Sequence, residues 1–133
     1  MPHRRLRVGV TRKLPDAVEA RLSDLFDTTL NPASSPLSAD ALIDLARGVD
    51  VLASTLGDML DDAFFEAAGD RLKLVANFGA GVDHIDVASA TARGITVTNT
   101  PSVLAEDAAD MAMALILAVP RRLVEGVRAL EDG

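Results

Sequence analysis

The residues best suited to chemistry lie in one short segment, Asn77-Phe78-Gly79-Ala80-Gly81-Val82-Asp83-His84. Gly79, Ala80 and Gly81 follow an apolar run, Leu72–Phe78, that reads as a buried strand. They therefore sit at that strand's carboxyl end, where open α/β sheets tend to bind ligands. Small residues there let the backbone turn sharply and present successive N–H groups. Such a nest of donors holds a carboxylate without any cationic side chain. A glycine turn made for steric reasons alone is the competing reading. Asn77 and Asp83 flank the turn and can brace it through side-chain-to-backbone hydrogen bonds. Ordinary strand-end and turn chemistry accounts for each of them as well.

The segment is not a dinucleotide fingerprint. A G-x-G-x-x-G pattern needs glycine where His84 stands, and it follows the first strand of its unit rather than the fourth. No other such pattern occurs in the chain, so a complete NAD site is not expected. Ser54-Thr55-Leu56-Gly57-Asp58 ends the third predicted strand and suits a loop facing the same cleft. His84 invites a general-acid role. Its neighbours Asp83 and Asp86 are already explained by turn formation and capping, so His84 is read as structural. His3 falls in the N-terminal tail and is read as solvated. Two distant histidines and scattered acids make no metal-ligand set. A phospho-receiver would need an acidic pair after the first strand, but Thr11-Arg12-Lys13 stands there.

Alternating elements must position these residues. Leu6, Val8 and Val10 alternate with Arg7 and Gly9 as a short strand. Pro15 and Asp16 open a helix with Val18, Leu22 and Leu25 on one buried face. A short strand near Asp27–Leu30 follows, then a loop around Asn31-Pro32 and Ser34, Ser35 and Pro36. Ser38 caps a helix that Gly48 ends, and Val49–Ala53 is a strand buried on both faces. Asp61 caps a helix carrying Phe64 and Phe65, with Gly69 at its end. Leu72–Phe78 is another buried strand, Asp86 caps the helix VASATAR ended by Gly94, and Ile95–Thr98 is the last strand. Such alternation predicts an α/β fold, a flavodoxin-like or Rossmann-like parallel five-stranded sheet with flanking helices over residues 1–100. Ser102 is placed to cap a long helix from Val103. Only Glu106, Asp107 and Asp110 are polar between Val103 and Val119. A helix this apolar needs more than one packing partner. Pro120 breaks or kinks it, and Arg121–Leu130 continues as a charged amphipathic stretch.

Composition narrows the classes further. Half of the 133 residues are apolar, so one domain can bury a core, built from Ala, Val, Leu and Ile because aromatics are scarce. A net charge of −7 without a basic cluster excludes a phosphate-backbone binder, so no nucleic acid is expected as partner. The absence of cysteine excludes disulfides and is compatible with a reducing cytoplasm. The N-terminal MPHRRLRVGV has no apolar run of signal-peptide length. The longest apolar run, Met111–Val119, is too short to span a bilayer, so no membrane partner is expected.

Taken in order, NFGAGVDHID (77–86), RGITVTNTP (93–101) and EDAADMAMALILA (106–118) resemble the D-isomer-specific 2-hydroxyacid dehydrogenases. The likeness is to the glyoxylate and hydroxypyruvate reductase branch and is strongest over residues 72–123. It implies hydride transfer from NADH or NADPH to a small 2-keto acid, giving a D-2-hydroxy acid. It implies that Gly79, Ala80 and Gly81 hold the substrate carboxylate through backbone amides, with Leu56 over the substrate's C3 group. A single apolar contact of that kind discriminates by about 1–3 kcal/mol per methylene. Asn99-Thr100-Pro101 would belong to an interdomain hinge, and Ala108 would lie near the cofactor, offering van der Waals contact only. Residues 1–100 would be the substrate-binding domain. Residues 101–133 would be the interdomain helix leading into a nucleotide-binding domain absent from this chain. The family's acid histidine, its orienting glutamate and its substrate-binding arginine have no counterpart here. The expectation is therefore a cytoplasmic chain with no catalytic residue of its own, inactive alone and binding no cofactor alone. It is expected to self-associate, as a homodimer, through the 103–119 helix. The alternative is a stand-alone flavodoxin-like module that binds small carboxylates without catalysis.

Overall fold

A computed structural model describes residues 4–133; the histidine at position 3 lies outside them. The chain divides into two units, one ending at Pro101 and the other running from Ser102 to Gly133. The first holds a five-stranded parallel sheet. Its elements in order are β1 (Arg7–Val10), α1 (Asp16–Leu25), β2 (Asp27–Thr29), α2 (Ala39–Gly48), β3 (Val51–Thr55), α3 (Asp62–Ala68), β4 (Leu74–Phe78), α4 (Val87–Ala92) and β5 (Thr96–Thr98). The strand order β2-β1-β3-β4-β5 is the flavodoxin-like order.

The direction of winding reverses at β1. Right-handed crossovers then place α1 on one face and α2, α3 and α4 on the other. The main core lies between the sheet and those three helices, with Leu52, Val75, Leu60, Phe65, Ala46 and Ala90 almost fully buried. Predicted caps set the helix starts. Ser38 Oγ accepts from Ala41 N, Asp61 from Phe64 N and Asp86 from Ser89 N. Gly69 and Gly94 adopt positive φ of 73° and 70° where α3 and α4 stop, a backbone that favours glycine.

Two packing expectations fail on the face that α1 covers. Val18 and Leu25 are 44% and 54% exposed, and the residue of α1 that is buried is Glu19. Its carboxylate accepts from Leu14 N at 2.8 Å and from Lys13 Nζ, so a local polar contact rotates the helix away from the apolar pattern. Leu22 and Phe26 still pack on Val8, Val10 and Leu14 in a small second cluster. β4 is buried on one face only. Phe78 is 59% exposed and Thr96 and Thr98 of β5 are exposed, because this face carries a single helix, over β1 and β3.

At the amino ends of the strands, Asp50 joins three of them. Its carboxylate accepts from Arg7 N at 2.9 Å and pairs with Arg4 and Arg71. Its own N–H donates to Arg7 O, and its carbonyl accepts from Lys73 N. The Arg7 N–H is the main reason its pKa lies below the ordinary carboxylate value, with Arg4, Arg71 and Arg7 adding to it against the cost of burial.

The second unit contains α5 (Ala105–Ala118) and α6 (Leu123–Glu131). Ser102 does not cap α5. It takes φ 65° in a turn, and the helix starts three residues later with Leu104 at its cap position and no side-chain cap. Pro120 ends α5 as expected, and Arg122 in the left-handed conformation opens α6. No residue of either helix is buried.

Candidate carboxylate site at the ends of β3 and β4

Two loops leave the sheet side by side. The first follows β3, where Asp58 folds the chain back. One carboxylate oxygen accepts from Thr55 N at 2.7 Å, Thr55 Oγ1 at 3.3 Å and Thr11 Oγ1, and Asp58 N donates to Thr55 O. Leu56 and Gly57 are left at the tip, and Leu56 is 62% exposed. The second loop follows β4 and carries Gly79, Ala80 and Gly81. Leu60 and Ile85 stitch the two together, Leu60 N donating to His84 O and Asp86 N to Leu60 O, both at 2.9 Å. Both side chains are buried, so the stitch is anchored in the core.

The glycine loop is held from behind by its carbonyls. Gly79 O accepts from Asn77 Nδ2 at 3.2 Å and from Thr100 N at 3.0 Å. Ala80 O accepts from Asn99 Nδ2 at 2.7 Å, and Gly81 O from Asn77 Nδ2 at 2.9 Å. Among the described residues, no acceptor takes the N–H of Gly79, Ala80 or Gly81. With its carbonyls tied back and its amides unspent, the loop leaves successive backbone donors available, the kind of group that takes an anion. Ala80 and Gly81 are exposed, so a small solute reaches them.

Glycine at 79 and 81 is not required by a left-handed backbone, since neither has positive φ. At 79 the requirement is close approach. A Cβ there would lie 2.6 Å from Leu56 Cδ2 and 3.2 Å from Asn77 Nδ2. Leu56 and the glycine loop are therefore in contact, as parts of one surface. At 57, a Cβ would lie 3.2 Å from Arg12 Nη2 and 3.3 Å from Pro36 Cγ. Arg12 Nε and the second oxygen of Asp58 are buried without partners.

The predicted residues divide accordingly. Asn77, 3% exposed, spends its amide on the loop carbonyls. Asp83 makes no hydrogen bond to the loop among the described residues. It is exposed, with Oδ2 3.3 Å from where a Cβ on Gly81 would stand. Ala80 O is held instead by Asn99, whose amide can donate to a carbonyl as an ionised carboxylate cannot. Asn99 and Thr100 read in the sequence only as a connector. Their signal was a polar side chain beside a strand end, which turn chemistry explains equally well. His84 Nε2 lies 3.1 Å from Asn77 Oδ1. Ala108 lies in α5, exposed, with its N–H donating to Leu104 O. No group of three or more potential metal ligands occurs among the described residues. The arrangement sets unspent backbone donors beside an exposed apolar side chain, Leu56.

Known proteins resemble this chain over nearly all of its length. The profile of the D-isomer specific 2-hydroxyacid dehydrogenase catalytic domain matches residues 8–128. A glyoxylate reductase from Korarchaeum cryptofilum is 42% identical over 127 residues, 96% of this chain and 38% of that protein. Among solved structures, the TT0316 protein from Thermus thermophilus superimposes with a TM-score of 0.77 at 39% identity, over 96% of this chain and 41% of that one. An NADPH-dependent glyoxylate/hydroxypyruvate reductase from Sinorhizobium meliloti, solved with NADP and malonate, gives 0.70 at 37% identity, over 97% and 39%. The chain thus spans under half the length of these relatives.

Proposed function

Since this chain belongs to the D-isomer specific 2-hydroxyacid dehydrogenase family, we propose that it supplies the carboxylate-holding part of an oxidoreductase acting on small 2-keto acids of the glyoxylate and hydroxypyruvate class. The observation that carries this reading is the loop Gly79–Gly81, with its carbonyls tied back and its amides unspent. Those amides take the substrate carboxylate, which orients the neighbouring keto carbon. Leu56, resting on Gly79, lies over the substituent at C3 and limits its size. Residues 1–100 act as the substrate-binding domain and 101–133 as the helical connector. The names of the relatives support the substrate class, and the malonate in one of them supports carboxylate recognition.

A nicotinamide cofactor supplies hydride in this reaction, and NADH or NADPH is proposed for the parent enzyme. The residues here do not fit a dinucleotide. The turn after β1 is Thr11-Arg12-Lys13, with Thr11 buried and bonded to Asp58, and it has no glycine to admit a pyrophosphate. The one glycine-rich turn follows β4 and lacks a third glycine at His84. The proposed place of Ala108 beside the cofactor rests on resemblance. We therefore propose that the 133 residues alone bind keto acid without reducing it. No helix among the described residues is long and apolar enough to cross a membrane, and the absence of cysteine agrees with a cytoplasmic setting.

The test has two readouts on the 133-residue chain, its intact mass verified. Amide spectra during titration with glyoxylate are expected to shift at Gly79, Ala80 and Gly81. NAD(P)H oxidation with glyoxylate or hydroxypyruvate is expected to stay at background. Shifts confined to other residues would overturn the carboxylate loop, and clear turnover would overturn the division of labour. Binding without turnover is also what a stand-alone carboxylate module would show. The source gene, read for a G-x-G-x-x-G turn, separates the two.

A further inference from the structure

Asn77 holds two of the three loop carbonyls, so whatever fixes Asn77 fixes the loop. Its amide nitrogen donates to Gly79 O and Gly81 O. That leaves Oδ1 as the acceptor end, with no hydrogen to give. Two groups address Oδ1: Ser54 Oγ at 3.3 Å and His84 Nε2 at 3.1 Å. Ser54 is Asn77's register partner on β3 and is fully buried. His84 lies on the far side of the loop, beyond Gly81, and its own carbonyl takes Leu60 N in the stitch between the loops.

An acceptor-only oxygen obliges the imidazole to donate through Nε2–H. We propose that His84 is a positioning residue of the carboxylate site. In its neutral form it is the Nε2–H tautomer, clamping Asn77 Oδ1 so that the opposite end of the amide pins Gly79 and Gly81. This rests on the reading of Gly79–Gly81 as the carboxylate loop. It gives the ring a structural task that bears on ligand affinity and requires no proton transfer to substrate. Ser54 and His84 together fill both lone pairs of Oδ1. Rotation of the amide would then cost both of these bonds and the two to the carbonyls.

The test uses the labelled 133-residue chain and its His84→Ala and His84→Gln variants, glutamine retaining an N–H near the Nε2 position. Without ligand, at a pH where the ring is neutral, imidazole nitrogen shifts are expected to report hydrogen on Nε2. The Asn77 side-chain amide is expected to move in His84→Ala and to return in His84→Gln. With glyoxylate, His84→Ala is expected to bind roughly fivefold more weakly, the scale of one hydrogen bond. His84→Gln is expected to recover most of that affinity, with the melting temperature of both variants close to the parent's. Hydrogen on Nδ1, or an alanine variant that binds as the parent does, overturns the proposal. Should the parent chain not bind glyoxylate, the carboxylate reading fails. The ligand-free shifts then decide the clamp: an Asn77 amide indifferent to His84→Ala overturns it.

Discussion

Gly79 is where the two halves of the site touch, and the contact is steric. A methyl group at 79 meets Leu56 Cδ2 at 2.6 Å, so Gly79→Ala must displace Leu56. Overpacking of this kind costs about 1–3 kcal/mol where neighbours cannot yield. Leu56 is exposed and yields, so the loss is expected in glyoxylate affinity, about tenfold, with little change in the denaturation midpoint. Adding Leu56→Ala removes the collision. A double-mutant cycle is expected to show the two positions coupled, and additive effects would mean that they act separately. Asp58 behaves differently because it is buried. Asp58→Ala strands Thr55 N–H and the Thr11 hydroxyl, and a loss of about 2–3 kcal/mol in urea unfolding is expected. The glycines were legible in the sequence as a turn at a strand end. Their reason was not, since a contact with a residue more than twenty positions away leaves no local pattern.

At the level of elements, caps carried the most readable signal, because a cap involves residues three apart. Asp61→Ala is expected to cost about 1 kcal/mol, read as a lower midpoint in thermal or urea unfolding. Failures came where a tertiary contact overrode local preference. The apolar spacing of α1 pointed Val18 and Leu25 inward, yet the bonds of Glu19 to Leu14 N and Lys13 turned the helix. Ser102 had the chemistry of a cap, but its positive φ put it in a turn. Acid stability belongs to this scale too. Asp50 ties the amino ends of β1, β3 and β4, and its pKa is lower folded than unfolded. Its contribution is fully present above the unfolded carboxylate value, about 4. It is lost as pH falls through the lower folded value. Asp50→Asn is expected to be less stable than the parent at neutral pH and to lose less between neutrality and strong acid. Parallel acid limbs in unfolding curves would show that Asp50 is not linked to folding.

For the molecule as a whole, the alternation of strands and helices was enough to predict a parallel five-stranded sheet, whereas the order β2-β1-β3-β4-β5 was legible only in the structure. The bare side of β4 and β5 was not foreseeable, because the face a right-handed crossover takes depends on that order. On the second unit, Met111, Met113, Leu115, Ile116 and Leu117 are each more than half exposed. Exposed apolar area of this extent favours association. We propose self-association of the chain through α5, with light scattering expected to give a mass above 14.0 kDa that falls when Leu115 and Ile116 are changed to polar residues. A monomer at high concentration would overturn it. The bonds from Asn99 and Thr100 to the carbonyls of Ala80 and Gly79 also have a kinematic consequence. They make residues 99 and 100 part of the fixed frame, so they cannot serve as a pivot while those bonds last. Any swing of the chain that begins at residue 99 or 100 must therefore first break the bonds that tie the glycine loop in place.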